Sequence, residues 1–216
     1  MAYVFVLASY SGTTALLAFM AMHVNLHPNR FLRHPPYEEV QFFSNSAIYS
    51  RGVAYYNDRF AKASTRAGDI NFEKSATYFD SPLAAQRMYA LLPNAKVIIL
   101  LRDPLLRARS WYEVGAFFIV RLVSVLLCYT PPFLLLQHQI AHNVSAALSF
   151  TFDQVLQADS MGKSLSLAKS LGTAYRGNIS QLAEDLYLLN KKCIYSGFYA
   201  SHLRRWLHFY PANHVS

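Results

Sequence analysis

Residues 11–14, with the sequence SGTT, have the residue types of an anion-binding turn. They lie between an apolar run, Tyr3–Ala8, and a helical pattern that extends to about His23. Gly12 allows a tight turn, and the backbone N–H groups and threonine hydroxyls at a helix start can bind a phosphate or a sulfate. The alternative is an ordinary helix N-cap. A full GxxxxGK(S/T) sequence is absent, so the segment lacks the signature of a common nucleoside triphosphatase.

A second candidate anion site follows the apolar run Lys96–Leu101. Arg102 comes directly after this run, and Ser110 lies on the helix that is predicted next. A guanidinium and a hydroxyl in this arrangement can hold a phosphate by charge-assisted hydrogen bonds. Arg107 and Arg109 fit a solvated helix face equally well.

Glu39 is a candidate general base, because it stands just before the aromatic pair Phe42-Phe43 and a carboxylate beside apolar surface suits that role. The alternative is a surface-loop glutamate. Lys74 is a further polar candidate. His138 and His142 are four positions apart and share a helix face, but they have no third ligand nearby in the sequence. We therefore predict no metal site.

The elements that must position these residues alternate between strands and helices, which predicts an α/β fold with a central parallel sheet flanked by helices. Lys96–Leu101 is the strongest strand pattern and is expected to be a central strand buried on both faces. Ser81 is the expected cap of the helix that follows it. The predicted strands are Tyr3–Ala8, Ile70–Phe72 and Lys96–Leu101, the predicted helices are Thr13–His23, Ala47–Lys62, Pro82–Leu92 and one from Pro104, and Leu26–Tyr37 is a predicted loop.

Three polar clusters are expected at the carboxyl ends of the strands, namely Ser9–Thr14, Glu73–Ser75 and Arg102–Ser110. Ligands of parallel sheets bind at that edge. The sequence therefore predicts that the three clusters form one site.

The composition is that of one packed domain of 216 residues with a net charge of +8. Two cysteines, eight glycines and nine prolines exclude a disulfide scaffold, a collagen-like repeat and a disordered chain. The positive charge suits a polyanionic partner. No basic run is clustered and no nucleic-acid motif is present, so nucleic acid is not an expected partner.

The apolar block Val114–Gln137 raises the mean hydropathy of the chain to +0.15. Its stretch Val114–Leu136 is long enough to span a bilayer, and a single-span membrane protein is one reading of it. Arg121 inside the stretch and a Pro-Pro pair at 131–132 oppose that reading. A buried core helix is the other structural reading.

Several segments, in this order, resemble the sulfotransferase domain of heparan sulfate N-deacetylase/N-sulfotransferases. The segments are SGTTALLAFMAMH, EEVQFF, FEKSATYFDS, LLPNAKVIILLRDPLLRARSWYE, HQIAH and CIYSGFYASHLRRWLHFYPAN. The resemblance implies a P-loop-NTPase-like sulfotransferase fold. It also implies transfer of a sulfuryl group from 3′-phosphoadenosine 5′-phosphosulfate to the glucosamine amine of heparan sulfate, without a metal. A heparan sulfate O-sulfotransferase is the close alternative.

The resemblance also implies a role for each candidate residue. Gly12, Thr13 and Thr14 would bind the 5′-phosphosulfate, and Arg102 and Ser110 the 3′-phosphate. Glu39 would be the general base, with His138 and Lys74 as the other catalytic residues, and His142 and Trp111 would contact the acceptor sugar. The location implied is the Golgi lumen or membrane, with membrane contact only through an N-terminal anchor of the longer family protein that this chain lacks.

The chain departs from the family pattern at several places. Tyr10 stands where the family has a lysine, so we expect low or absent activity. Joining Glu113 to His138 restores the family pattern SWYEHQIAH, and we hypothesise that Val114–Gln137 is a translated intron inside a helix. Residues 161–189 diverge from the family. We expect residues 1–216 to be a partial domain that is incomplete at its C-terminus.

Overall fold

The computed structural model describes residues 2–7, 13–29, 39–60, 68–113, 146 and 149–216 of the chain. They fall into two units, of which the first comprises Met1–Arg102 with Phe198–Ser216 and the second Asp103–Gly197. The predicted block Val114–Gln137 lies outside the described residues. Within the described ranges, no helix is both long and apolar enough to cross a membrane.

The first unit contains a parallel sheet, as the alternating pattern predicts. Its strands are β1 (Ala2–Leu7), β2 (Leu26–Pro28), β3 (Ile70–Ser75) and β4 (Lys96–Ile99). Their order is β2-β3-β1-β4, and every neighbouring pair is parallel. Apolar β-branched residues in β1 and β4 favour this extended, ladder-forming backbone.

The structure corrects one predicted loop, which contains β2, and the predicted end of strand β3. The predicted loop Leu26–Tyr37 begins with the edge strand β2, where Pro28 is tolerated because an outer strand does not need every backbone N–H. Strand β3 does not end at Phe72 but continues to Ser75. Glu73, Lys74 and Ser75 therefore belong to the strand itself and do not follow it.

Strand β4 is lateral in this sheet and not central. Val97 is buried, whereas Ile98 and Ile99 are only half-buried. On the outer side of β4, Val215 forms an isolated parallel bridge with Val97, and the Ile99 N–H donates to the Ser216 carbonyl at 2.8 Å. The most interior strands of the described sheet are β3 and β1.

The helices, in chain order, are α1 (Thr13–Ala21), α2 (Ser46–Tyr49), α3 (Gly52–Asp58), α4 (Ala84–Leu91), α5 (residues 104–113), α6 (Phe152–Gln157), α7 (Met161–Ser170), α8 (Ile179–Tyr195) and α9 (Tyr199–Phe209). The predicted helix near Pro104 is confirmed as α5. Helix α4 begins two residues later than predicted, and the Ser81 hydroxyl accepts hydrogen bonds from the N–H groups of Leu83 and Ala84 at 3.3 Å.

The predicted helix Ala47–Lys62 is wrong as a single helix. It forms α2 and α3, and its last two residues lie outside the described ranges. Asn45 caps α2 by accepting hydrogen bonds from the backbone of Ala47 and Ile48. Gly52, at the start of α3, has φ of +82°, a backbone conformation that interrupts a continuous helix and that glycine adopts readily.

Aromatic side chains dominate the core of the first unit. Phe42, Phe43 and Tyr56 are buried together with ring centroids about 5 Å apart. Trp206 of α9 is also buried, and its indole N–H donates to the Phe79 carbonyl at 3.0 Å. Phe42 and Phe43 therefore anchor the segment that follows Glu39 in this core.

The second unit is helical where it is described. Helix α8 contributes Leu182 and Leu186 to its core, next to Val155 of α6. The buried Asn190 amide donates to the Val155 carbonyl at 2.8 Å, and the buried Arg107 guanidinium donates to the carbonyl of Cys193. Residues 161–189, which are predicted to diverge, supply α7 and the first part of α8. That they depart from the family pattern stays a prediction.

Candidate functional site

Three strands of the sheet end in one row. The register aligns Leu7 of β1 with Ser75 of β3 on one side and with Ile99 of β4 on the other. The segments that leave these strands therefore start from the same edge of the sheet. The convergence of the three polar clusters stays a prediction, because residues 9–12 lie outside the described structure. Glu73–Ser75 are the last three residues of β3.

The start of α1 carries features that suit an anion. Thr13 is the first residue of this nine-residue helix and is only 4% exposed. No acidic residue lies in the first turn of α1, which leaves the positive end of the helix dipole without a carboxylate from the helix itself. Thr14 is helical, and its side chain lies outside the described structure, as do Tyr10 and Gly12.

Glu39 and Lys74 form an ion pair beside the end of β3. The Lys74 ammonium donates to Glu39 Oε1, and the backbone N–H of Ala76 donates to Glu39 Oε2 at 2.9 Å. Only 8% of the Glu39 side chain and 11% of the Lys74 side chain are exposed. A proton acceptor and a cation are thus fixed next to each other, which is an arrangement suited to proton transfer beside a developing negative charge.

Residues 39–44 are held against residues 73–78 by further hydrogen bonds. The N–H of Gln41 donates to the Ser75 hydroxyl at 3.2 Å, and the N–H of Phe43 donates to the Tyr78 hydroxyl at 3.4 Å. The hydroxyls of Ser44 and Thr77 are 2.8 Å apart. The loop that carries Glu39 is therefore attached to the strand that carries Lys74.

Glu73 is a buried acid that the sequence reading did not single out. It is 1% exposed, and its carboxylate accepts hydrogen bonds from the hydroxyls of Tyr56 (2.9 Å), Ser75 (2.9 Å) and Tyr78 (2.6 Å). Burial raises the pKa of Glu73 to about 7, and the nearby charge of Glu39 adds to the rise, while the three hydroxyls lower it. The sequence feature that could have indicated its burial is the presence of nearby tyrosines, because a buried glutamate needs hydroxyl or cationic partners.

The predicted 3′-phosphate residues, Arg102 and Ser110, belong to different units. Arg102 is exposed after β4, and its carbonyl accepts a hydrogen bond from the Tyr199 hydroxyl at 2.7 Å. Ser110 is half-buried on α5. Trp111, the predicted acceptor contact, is 8% exposed on the same helix. The roles of all three stay predictions.

The predicted residues His138 and His142 lie outside the described structure. Across the ranges that are described, no group of three or more His, Cys, Asp or Glu side chains is arranged to hold a metal ion.

The chain is similar to known proteins both in sequence and in fold. The family description "Sulfotransferase domain" matches residues 4–216. The human bifunctional heparan sulfate N-deacetylase/N-sulfotransferase 1 is 36% identical over 205 residues, and the human protein 2 of that name is 35% identical over 205 residues. Each match covers 95% of this chain and 18% of the relative, so the chain spans about a fifth of the length of these relatives.

A solved sulfotransferase from Alicyclobacillus acidocaldarius has a similar fold. Its TM-score is 0.54 at 19% sequence identity, and the match covers 99% of this chain and 70% of that one. Together with the parallel sheet, this likeness confirms the predicted α/β sulfotransferase fold.

Proposed function

Because this chain belongs to the sulfotransferase domain family, we propose that it transfers a sulfuryl group from 3′-phosphoadenosine 5′-phosphosulfate to the glucosamine amine of heparan sulfate. The observation that carries this proposal is the Glu39–Lys74 ion pair at the end of β3. The similarity to N-deacetylase/N-sulfotransferases supports the choice of acceptor. The net charge of +8 suits a polyanionic acceptor chain.

The donor would bind where the start of α1 meets the strand ends. Gly12, Thr13 and Thr14 would hold the 5′-phosphosulfate through backbone N–H groups and hydroxyls. The low exposure of Thr13 and the absence of acidic residues in the first turn of α1 support this placement. Arg102 and Ser110 would hold the 3′-phosphate, with the guanidinium supplying a charge-assisted contact.

The transfer would be an in-line displacement at sulfur. The amine nitrogen forms the new N–S bond while the bond between sulfur and the bridging phosphate oxygen breaks, and adenosine 3′,5′-bisphosphate leaves with that oxygen. Glu39 takes the proton that the amine loses. Lys74 stabilises negative charge near the transferred group, since a fixed cation in a mostly buried site is stronger than one in water.

The remaining residues would serve the acceptor. We assign His138 to the transferred group and His142 and Trp111 to the acceptor sugar. We place the reaction in the Golgi lumen. The chain would reach it as the sulfotransferase domain of a longer protein of this family. Metal and nucleic acid have no part in the proposed reaction.

Tyr10 is expected to slow this reaction. The family's lysine at that position supplies a cation for the departing phosphate, and a phenol cannot supply that charge. Loss of one such preorganised donor lowers the rate by about 10²–10³. We therefore propose that the chain has low turnover and that Tyr10→Lys raises it.

The test is sulfate transfer from labelled 3′-phosphoadenosine 5′-phosphosulfate to N-deacetylated heparosan. We compare the chain with Tyr10→Lys, each with and without Val114–Gln137. The expected result is N-sulfation that rises about 10²–10³-fold with lysine at position 10. Products sulfated only on oxygen would favour a heparan sulfate O-sulfotransferase, and no transfer by any of the four forms would overturn the proposal.

A further inference from the structure

The carboxylate of Glu73 joins two hydroxyl groups through a single oxygen. The hydroxyls of Ser75 and Tyr78 both donate to Glu73 Oε1, at 2.9 and 2.6 Å. The hydroxyl of Tyr56 donates to Oε2 at 2.9 Å. These hydrogen bonds run between buried groups, so Glu73 faces the interior of the first unit.

The same two hydroxyls accept the backbone of the loop that carries Glu39. Ser75 accepts from the N–H of Gln41, and Tyr78 accepts from the N–H of Phe43. A hydroxyl has one proton, and Glu73 Oε1 takes it in both cases. The lone pairs of each hydroxyl are thereby left to face the loop. Glu73 thus determines the direction of these two hydrogen bonds.

The loop needs such contacts because its backbone is strained. Gln41 has φ of +52°, a left-handed conformation that residues with a Cβ rarely adopt. A conformation of this kind persists only where surrounding contacts hold it. Gln41 lies two residues after Glu39, so a change in its backbone would redirect the Glu39 carboxylate.

We propose that Glu73 is a positioning residue that acts through the hydroxyls of Ser75 and Tyr78 to hold residues 39–43 and to aim Glu39 at Lys74. The proposal rests on the proposed role of Glu39 as general base for its catalytic consequence. Its structural part, the holding of the loop, stands independently of any activity.

The first experiment measures amide hydrogen exchange in variants of Glu73. Glu73→Gln keeps a carbonyl oxygen in place of Oε1, whereas Glu73→Met has similar length and no acceptor. We expect Glu73→Met to lower protection of the amides of Gln41 and Phe43 about tenfold, as expected for the loss of an orienting hydrogen bond, and Glu73→Gln to retain it. Equal loss of protection in helix α4 would show general destabilisation and overturn the proposal.

Two milder variants, Tyr78→Phe and Thr77→Val, test the attachment of the loop if Glu73→Met does not fold. Tyr78→Phe removes the acceptor of the Phe43 N–H but leaves the rest of the ring. Thr77→Val is the matched control, because it removes a hydroxyl contact between the same two segments without touching Glu73. We expect a selective loss of protection at Phe43 in Tyr78→Phe only. Identical exchange in both variants would contradict the proposed role of the Tyr78 hydroxyl in holding the loop.

The second experiment measures sulfate transfer in the Tyr10→Lys background. If Glu73 positions the general base, Glu73→Met lowers kcat about tenfold or more with little change in the KM for the donor, and Glu73→Gln restores kcat. An unchanged kcat in Glu73→Met would overturn the catalytic part. If the Tyr10→Lys protein transfers no sulfate at all, the proposed function fails, while the exchange measurements still decide whether Glu73 holds the loop.

Discussion

The carboxylate of Glu39 is bound by the ammonium of Lys74, although the two residues are 35 positions apart in the sequence. Both side chains are mostly buried, and the Ala76 N–H donates a hydrogen bond to the second carboxylate oxygen of Glu39. The pair is therefore in place before any substrate binds. Its two members can be tested separately, by catalysis and by stability.

Glu39→Gln is expected to abolish most of the catalysis without unfolding the protein. A glutamine cannot take the proton of the attacking amine, while its carbonyl can still accept a hydrogen bond from Ala76. We expect kcat for N-sulfation to fall about 10²–10⁴-fold in the Tyr10→Lys background. Glu184→Gln, on an exposed face of α8, is the control and should leave kcat unchanged. A glutamine variant with full activity would exclude Glu39 as the base.

The Glu39–Lys74 pair is expected to show strong energetic coupling in a double-mutant cycle. Removing one partner leaves the other charge in a mostly buried place, so Glu39→Gln and Lys74→Met should not be additive. Urea unfolding should give a coupling of about 1–3 kcal/mol. The pair Arg109–Glu113, whose side chains are 64% and 57% exposed, serves as the comparison and should couple much more weakly. Equal coupling in the two pairs would contradict the burial argument.

The raised pKa of Glu73 predicts that stability falls as pH rises through the acid range. The pKa is about 7 in the folded state and 4.5 for an ordinary glutamate, so between these values the folded protein binds more protons than the unfolded chain. The Glu73 contribution is fully present below about pH 4.5 and is lost by about pH 7. The loss amounts to about 3 kcal/mol.

Glu73→Gln removes this titration and provides the comparison. We expect the unfolding free energy of the native protein, measured relative to that of Glu73→Gln, to decrease between pH 4.5 and 7 and to level off above it. Denaturant unfolding at a series of pH values measures the difference. Parallel pH curves for the two proteins would show that the Glu73 pKa is not raised.

Gly52→Ala is expected to destabilise the protein through backbone strain alone. Gly52 has φ of +82°, and a Cβ built there would meet no atom within 4 Å. The left-handed conformation costs an alanine about 1–2 kcal/mol. Gly162, in α7, also has open space around it but no positive φ, so Gly162→Ala should instead stabilise by about 0.4–1 kcal/mol. The two unfolding free energies should therefore change in opposite directions, and a shift of the same sign in both variants would contradict the strain argument.

Local sequence patterns predicted the elements whose structure depends on nearby residues. The apolar runs of β1 and β4 and the helix from Pro104 are examples, and the parallel arrangement followed from the alternation. Strand β2 was missed because its three residues include Pro28 and carry no strand pattern. It exists because β3 lies beside it, with Pro28 aligned with Phe72. Pairing over long distances is not visible in a short window of sequence.

The candidate site was predicted as separate residues and not as an arrangement. Glu39 and Lys74 were each singled out, but their ion pair depends on the fold of both segments. The sequence pattern places Glu73 in a polar cluster and does not predict its burial, because the tyrosine hydroxyls that allow this burial come from Tyr56, on another element, and from Tyr78. The sequence supplies these groups, and tertiary packing decides that they meet.

The register of β1 has a consequence for how the chain folds. Val4 is aligned with Phe72 on one side and with Lys96 on the other, so the earliest strand has partners that lie far along the sequence. Pairing of such distant strands is slow, because a long loop must be closed before any stabilising contact forms. During synthesis β1 leaves the ribosome long before β3 and β4 are made. We therefore expect this apolar strand to remain unpaired in the nascent chain and to be a binding site for molecular chaperones.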